Sequence, residues 1–175
     1  MNLPNSLSAL RILLTPVFVL LYETGRTRAA IAVLLLAALS DLLDGMLART
    51  LGQVTELGKA LDPVADKLLQ LAMLLCALRR FPVLRPVLLL HVLREGTTGA
   101  LELLAYRRLG AVEGARWYGK ACTAILYTVL TALLIVPQLP ERLVRAGAGL
   151  CAGCILACLL LYTARLLRAL RAGRA

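Results

Sequence analysis

Apolar residues along this chain gather into runs divided by short polar stretches, and those runs set the expected elements. A helix that crosses a bilayer needs about 20 residues. The first such segment runs from Leu7 to Tyr22, with Arg11 near its start and Pro16 inside it; Asn5 or Ser6 offers an N-cap before it. Glu23 to Arg28 reads as a polar loop. The fourth segment runs from Val87 to Tyr106 and carries His91, Arg94, Glu95 and Glu102. The fifth runs from Ala121 to Val136 and the sixth from Ala146 to Ala164. Arg79 to Pro86, Arg107 to Lys120 and Pro137 to Arg145 are the connections, and Arg165, Arg168, Arg171 and Arg174 make an arginine-rich tail.

The second and third segments are less simple. The purely apolar part of the second, Ala29 to Leu39, is eleven residues long, and that of the third, Leu68 to Leu78, is also eleven. Neither crosses a bilayer unless the second, beginning near Thr27, continues through Asp41, Asp44 and Ala48, and the third includes Asp62 and Asp66. All four aspartates then lie below the membrane surface, where a charge is tolerated in a watered cavity or against a partner. Asp62-Pro63 is read in one of two ways: as an N-cap followed by proline at the first helical position, or within a helix that starts at Thr55 and is kinked at Pro63.

Composition agrees with the runs. Of 175 residues 60% are hydrophobic and mean hydropathy is +0.80, above the ~45–50% apolar content of soluble domains. The expected fold is an all-α polytopic membrane protein, six transmembrane helices around a polar cavity open to the cytoplasmic side. The net charge of +10 then reads as topology and contact with anionic membrane lipids. The side bearing both termini collects Arg11, Arg49, Lys59, Lys67, Arg107, Arg108, Arg116, Lys120 and the tail arginines; the other side has Arg26, Arg28, Arg79, Arg80, Arg85, Arg142 and Arg145. The positive-inside rule makes the termini and the aspartate-bearing connection cytoplasmic, in a cell (inner) membrane. Nucleic acid is excluded as a partner, since the basic residues are dispersed and aromatics make up 5%. The five cysteines read as small packing residues: Cys151-x-x-Cys154 has no second pair or nearby histidine to complete a zinc site. No cleavable signal peptide is expected at the amino terminus.

The chemistry concentrates between residues 41 and 66. Asp41 and Asp44 are three apart, Asp62 and Asp66 four apart, so on a helix each pair shares a face. Four such carboxylates repel one another unless a cation sits among them, and oxygen ligands suit a hard divalent ion, Mg²⁺ (or Mn²⁺). Gly45, Ala48 and Gly58 are small residues beside the acids, Arg49 carries a fork that fits a phosphate, and Lys59 and Lys67 add charge. The implied ligand is a metal-bound polyphosphate.

Asp41, Asp44, Gly45, Ala48, Arg49, Gly58, Asp62 and Asp66 fill every fixed position of D-x2-D-G-x2-A-R-x8-G-x3-D-x3-D. In this the chain resembles the CDP-alcohol phosphatidyltransferases, and the resemblance covers essentially all of residues 1–175 as a single six-helix membrane domain. It implies that Asp41, Asp44, Asp62 and Asp66 bind metal. It further implies that Asp41, Gly45, Ala48, Arg49 and Gly58 hold the CDP of CDP-diacylglycerol, and that Asp66 is the base acting on an acceptor hydroxyl. CMP leaves and a phosphatidyl alcohol forms; a homodimer is expected on the same ground.

The opening N-L-P-N-S, Arg11, Pro16, the run Asp62 to Lys67, Arg94-Glu95 and Gly119-Lys120 resemble the phosphatidylglycerolphosphate synthase branch of that family, with glycerol-3-phosphate as acceptor. The chain departs from the branch at Cys122, where a second basic residue is common, and in its short connections. Arg94, Lys120, Lys67 and Arg11 are the cations that would meet the acceptor's phosphate. Phosphatidylglycerol, in a cardiolipin-synthase-like reaction, and inositol phosphate are alternative acceptors; a divalent-cation or proton-coupled transporter and a catalytically silent lipid binder are readings of other classes. Blander readings stand beside these roles. Arg94-Glu95, with Glu102, makes an intramembrane ion pair, His91 is a satisfied bundle residue and Lys120 snorkels. Gly149 and Gly153 mark close helix packing within or between protomers, and the arginine tail anchors to head groups.

Overall fold

A computed structural model describes the backbone over residues 3–50, 56–109, 117–136 and 138–172; within these, side chains are described except at 3–5, 7, 41–50, 56–60, 105–106, 108–109, 166 and 169–172. Among the described residues six α-helices follow one another: α1 Leu3–Glu23, α2 Thr27–Thr50, α3 Glu56–Arg80, α4 Arg85–Leu109, α5 Trp117–Ile135 and α6 Glu141–Ala172, with a 3₁₀ turn at Pro82–Leu84 before α4. No strand occurs among the described residues. Among them, two stretches are long and apolar enough to cross a membrane, Trp117–Ile135 and Glu141–Arg165, and Thr27–Ser40 is a shorter apolar stretch.

Several boundaries differ from expectation. α1 begins at Leu3, ahead of Asn5 and Ser6, so neither caps it. Pro4 explains this: in the first turn its missing N–H costs nothing and its fixed φ favours the helix. α1 ends in a Schellman turn. Gly25 N–H donates to the Tyr22 carbonyl (3.1 Å), Arg26 N–H donates to that of Leu21 (2.9 Å), and Gly25 takes φ +74°, which glycine adopts without strain. α3 begins at Glu56 with Pro63 inside it, which rules out Asp62 as an N-cap. Gly119 and Lys120, expected in a connection, stand in the first turns of α5, and Arg165, Arg168 and Arg171 continue α6 rather than forming a separate tail.

Two compact units divide the chain: Met1–Arg80 with Leu134–Pro137, and Phe81–Leu133 with Gln138–Ala175. In the first, α1 packs on both α2 and α3. Ser8 bonds Asp62, Arg11 bonds Asp66, and Arg79 bonds Glu23; the partners are 54, 55 and 56 residues apart. A nearly constant separation along both helices means α1 and α3 run parallel and in register, over a length of about 22 Å from Ser8 to Glu23 at 1.5 Å per residue. The intervening α2 therefore runs back between them in the chain. It buries Ala30, Leu34, Ala37 and Ser40, a stripe at helical spacing, while Leu35, Leu36 and Leu39 face outward.

In the second unit α4 packs on α6. Tyr162 on α6 donates its hydroxyl to Glu102 on α4, and Cys158 sits beside the Arg94 guanidinium, so these two helices also run parallel. α5 runs against α6: Tyr118 meets Tyr162 edge-on, Cys122 touches Cys158, and Gly147 approaches Val129. The close helix contact falls at Gly147, where an added Cβ would lie 3.1 Å from Val129 Cγ1; Gly149 and Gly153, expected to pack closely, face open space within this chain. All five cysteines are free thiols, four of them buried.

Candidate functional site

The site is built from α3 upward. Asp62 and Asp66 stand one turn apart on this helix, so their side chains emerge on one face. The backbone between them is held inside by Ala65, which is fully buried. Asp62 is half-buried, and the Asp66 side chain is 38% exposed, open enough to meet a ligand.

Each carboxylate has a dedicated donor from α1. The Ser8 hydroxyl donates to Asp62 Oδ1. Arg11 Nη1 donates to Asp66 Oδ1 at 2.8 Å, a charge-assisted bond from a side chain only 1% exposed. Ser8 and Arg11 are three residues apart and so share a face of α1, and the parallel register of α1 with α3 brings that face onto the acidic one. Thr15, one turn further, donates its hydroxyl to the Arg11 carbonyl at 2.9 Å. Three successive polar positions, Ser8, Arg11 and Thr15, are thus buried on a helix whose Leu13, Val17 and Leu20 are exposed. Sequence reading missed Ser8. The signal was available as S-x-x-R, a donor pair at the spacing of one helical turn inside an apolar segment.

Asp41, Asp44, Gly45, Ala48 and Arg49 occupy the last turns of α2, which runs unbroken to Thr50. Gly58 and Lys59 fall in the first turn of α3. The side chains of all seven lie outside the described residues. Both acidic pairs belong to the first unit. Among the described residues no group of three or more histidine, cysteine, aspartate or glutamate side chains is gathered. The donor set fits a hard divalent cation: carboxylate oxygens only, with Asp62 and Asp66 side by side and Asp66 open to solvent.

The four cations expected at the acceptor's phosphate are divided between the units. Arg11 lies against Asp66, and Lys67 is exposed on α3, next to it in sequence. Arg94 and Lys120 belong to the second unit. Arg94 Nη1 pairs with Glu95 Oε1 at 3.1 Å, both side chains being largely buried, and Lys120 is exposed. Glu102, expected with the Arg94-Glu95 pair, instead accepts the hydroxyl of Tyr162. His91 is buried one turn before Arg94.

A family model described as CDP-alcohol phosphatidyltransferase matches residues 1–165. Three relatives illustrate the similarity. A Pseudomonas fluorescens protein named CDP-diacylglycerol--glycerol-3-phosphate 3-phosphatidyltransferase is 50% identical over 72 residues, 39% of this chain and 37% of that protein. A Mycobacterium tuberculosis protein named probable phosphatidylglycerophosphate synthase is 38% identical over 144 residues, 78% of this chain and 66% of that protein. A Bacillus subtilis protein with the same name as the Pseudomonas one is 32% identical over 158 residues, 82% of this chain and 81% of that protein. The chain thus spans less than two thirds of the first two relatives and about four fifths of the third. The family match over nearly the whole chain coincides with an acidic signature complete from Asp41 to Asp66, and on that evidence the chain belongs to the CDP-alcohol phosphatidyltransferase family.

Proposed function

We propose that this protein transfers the phosphatidyl group of CDP-diacylglycerol to sn-glycerol 3-phosphate, releasing CMP and phosphatidylglycerophosphate. The observation that carries the reading is the second acidic pair, Asp62 and Asp66 on one face of α3, each held by a donor from α1, at the close of the signature. The names borne by relatives that align along most of the chain support the choice of acceptor.

The acceptor hydroxyl attacks the phosphorus that bears diacylglycerol. The bond from that phosphorus to the bridging oxygen breaks, and the oxygen leaves with CMP. Asp66 takes the hydroxyl proton. Asp41, Gly45, Ala48, Arg49 and Gly58 hold the CDP portion, with the small residues admitting the nucleotide close to the backbone. Asp41, Asp44, Asp62 and Asp66 would hold a divalent cation, Mg²⁺ or Mn²⁺, which supplies neutralisation of phosphate charge and acidifies a nearby hydroxyl. Arg94, Lys120 and Lys67 are the side chains offered to the acceptor's phosphate. Catalysis of this kind is positioning and charge stabilisation, and fixed carboxylates suit it.

The same proposal makes the chain a single multi-pass membrane domain, with its termini and its polar cavity on the cytoplasmic side. Its burial pattern supports this. Beside an apolar core, Ser8, Arg11, Thr15, Ser40, Gln70 and His91 are inside while Leu13, Leu20, Leu89 and Leu160 are more than half exposed, as a lipid-facing surface allows. A homodimer, and contact of the arginine-bearing end of α6 with anionic lipid, complete the reading.

The test is purified protein with CDP-diacylglycerol and a panel of alcohols, products being identified by mass spectrometry. Phosphatidylglycerophosphate and CMP in equal amounts are expected with glycerol-3-phosphate. Transfer to a different alcohol replaces the acceptor; absence of CMP release with every alcohol overturns the proposal.

A further inference from the structure

We infer that α1 is a positioning element of the site: Arg11 orients Asp66 and Ser8 orients Asp62, so that Arg11 acts on the reaction through a carboxylate and not by holding the acceptor. The inference rests on the reading of Asp62 and Asp66 given above.

Three observations carry it. First, Arg11 has 1% of its side chain exposed and its Nη1 is 2.8 Å from Asp66 Oδ1. A diffusing phosphate does not reach a guanidinium so covered unless its surroundings move. Second, the donors match the acids in number and spacing: Ser8 and Arg11 are one turn apart, as are Asp62 and Asp66, and the separations of 54 and 55 residues place each donor on its own acid. A single surface ion pair has no such pattern. Third, the arrangement is costly as mere packing. Burying a charged pair in an apolar helix interface repays its desolvation poorly, and apolar residues of similar volume often serve stability as well or better. What a buried guanidinium does supply is direction: the single charge-assisted bond from Nη1 fixes where Oδ1 of Asp66 points. Thr15, bonded to the Arg11 carbonyl, continues the same polar face one turn further.

A contrast within α1 sharpens the point. At its other end Arg79 of α3 pairs with Glu23, but Arg79 is 75% exposed. That pair is of the kind that contributes little. Only the end carrying the acids has its cation sealed in.

The experiment uses the purified full chain with four substitutions, R11M, R11K, S8A and D66N, and the double variant R11M/D66N. Steady-state kinetics separate kcat from KM for each substrate. R11M is expected to lower kcat by about 10- to 100-fold, the range seen when a partner supporting a site ligand is removed, with KM for glycerol-3-phosphate changed less than about twofold. R11K, which keeps the charge but not the fork, should recover part of that loss. R11M/D66N should turn over no more slowly than D66N alone, because Arg11 has nothing left to orient. A large rise in KM for glycerol-3-phosphate with kcat near normal would make Arg11 an acceptor ligand and overturn the inference, as would additive losses in the double variant.

S8A guards against variants that fail to fold, since it removes one oxygen and no charge. Substrate-free enzyme titrated with Mn²⁺ and followed by electron paramagnetic resonance gives a readout that does not depend on turnover. S8A is expected to weaken Mn²⁺ binding by about 10-fold, the low end of the range for such supporting partners. Binding equal to that of the unsubstituted protein overturns the role given to Ser8. If the unsubstituted protein binds Mn²⁺ and transfers nothing, the proposed function fails while the S8A titration still decides the positioning claim.

Discussion

The two units bury polar groups in different ways. In the first, the buried pairs join residues more than fifty positions apart, Ser8 to Asp62 and Arg11 to Asp66, so the helix packing itself sets the geometry of the acids. In the second, the buried ion pair is local, Arg94 with its immediate neighbour Glu95, and the long-range contact across its helices is the Tyr162 hydroxyl on Glu102 rather than an ion pair. The charged pair of the first unit is therefore set by helix packing, and that of the second by its own helix. On the function proposed above, the reacting groups belong to the first unit and part of acceptor recognition to the second.

The comparison breaks most directly at the first unit. Chelation with EDTA is expected to abolish CMP release, and Mg²⁺ or Mn²⁺ to restore it; activity that survives chelation would remove the reason for gathering four aspartates. Asp66→Asn should lower turnover by about 10²- to 10⁴-fold, the span of general-base contributions, while CDP-diacylglycerol still binds, as checked by equilibrium binding. Near-normal turnover would take the base role from Asp66.

How far these features were legible in the sequence follows the same division. The i, i+3 and i, i+4 spacing of the aspartates needs only helical geometry, and the shortness of the apolar runs at Ala29–Leu39 and Leu68–Leu78 required both helices to extend through the acids; α2 and α3 do extend through them. The contact of Arg11 with Asp66 was not legible, because it depends on the register between α1 and α3. Local sequence does not encode that register; apolar packing along the whole interface does. A helix end was misplaced where a local signal competed with a stronger one, Asn5 and Ser6 with Pro4; at Asp62-Pro63 the structure selects between the two readings, the helix having already begun at Glu56 with Pro63 inside it. The G-x3-G at Gly149 and Gly153 was legible only as close packing within or between protomers. Spacing identifies a small-residue face, but which neighbour approaches it is a matter of tertiary packing, and α5 approaches at Gly147.

The second unit is tested by a split in kinetic constants. Arg94→Ala and Lys120→Ala should each raise KM for glycerol-3-phosphate by about 10-fold, the weight of one charge-assisted phosphate contact, and leave KM for CDP-diacylglycerol within about twofold. An equal effect on both substrates would erase the distinction between the units. Arg94 has more to lose than Lys120, because truncating it also leaves Glu95 without its 3.1 Å partner. Arg94→Lys therefore belongs in the same series: it retains a charge for Glu95 and tests the phosphate contact alone.

The smallest expected effect concerns stability and asks whether the α5–α6 contact is as tight as the α1–α3 register. Gly147 is less than a methyl group from clash with Val129, whereas Gly149, two residues along α6, meets nothing within 4 Å. Leucine at Gly147 must displace Val129 or part the helices, a cost of about 1–3 kcal/mol for an overpacked site. Leucine at Gly149 meets no such neighbour within the chain and removes a flexible glycine from a helix interior, which favours folding by up to about 1 kcal/mol. Thermal unfolding in detergent should therefore rank Gly147→Leu below the unsubstituted protein and Gly149→Leu level with it or above. A Gly149→Leu variant that unfolds as early as Gly147→Leu would mean that the outward glycine face is covered in the folded protein, and the natural cover for a stripe of small residues on an apolar helix is another helix, that of a second copy.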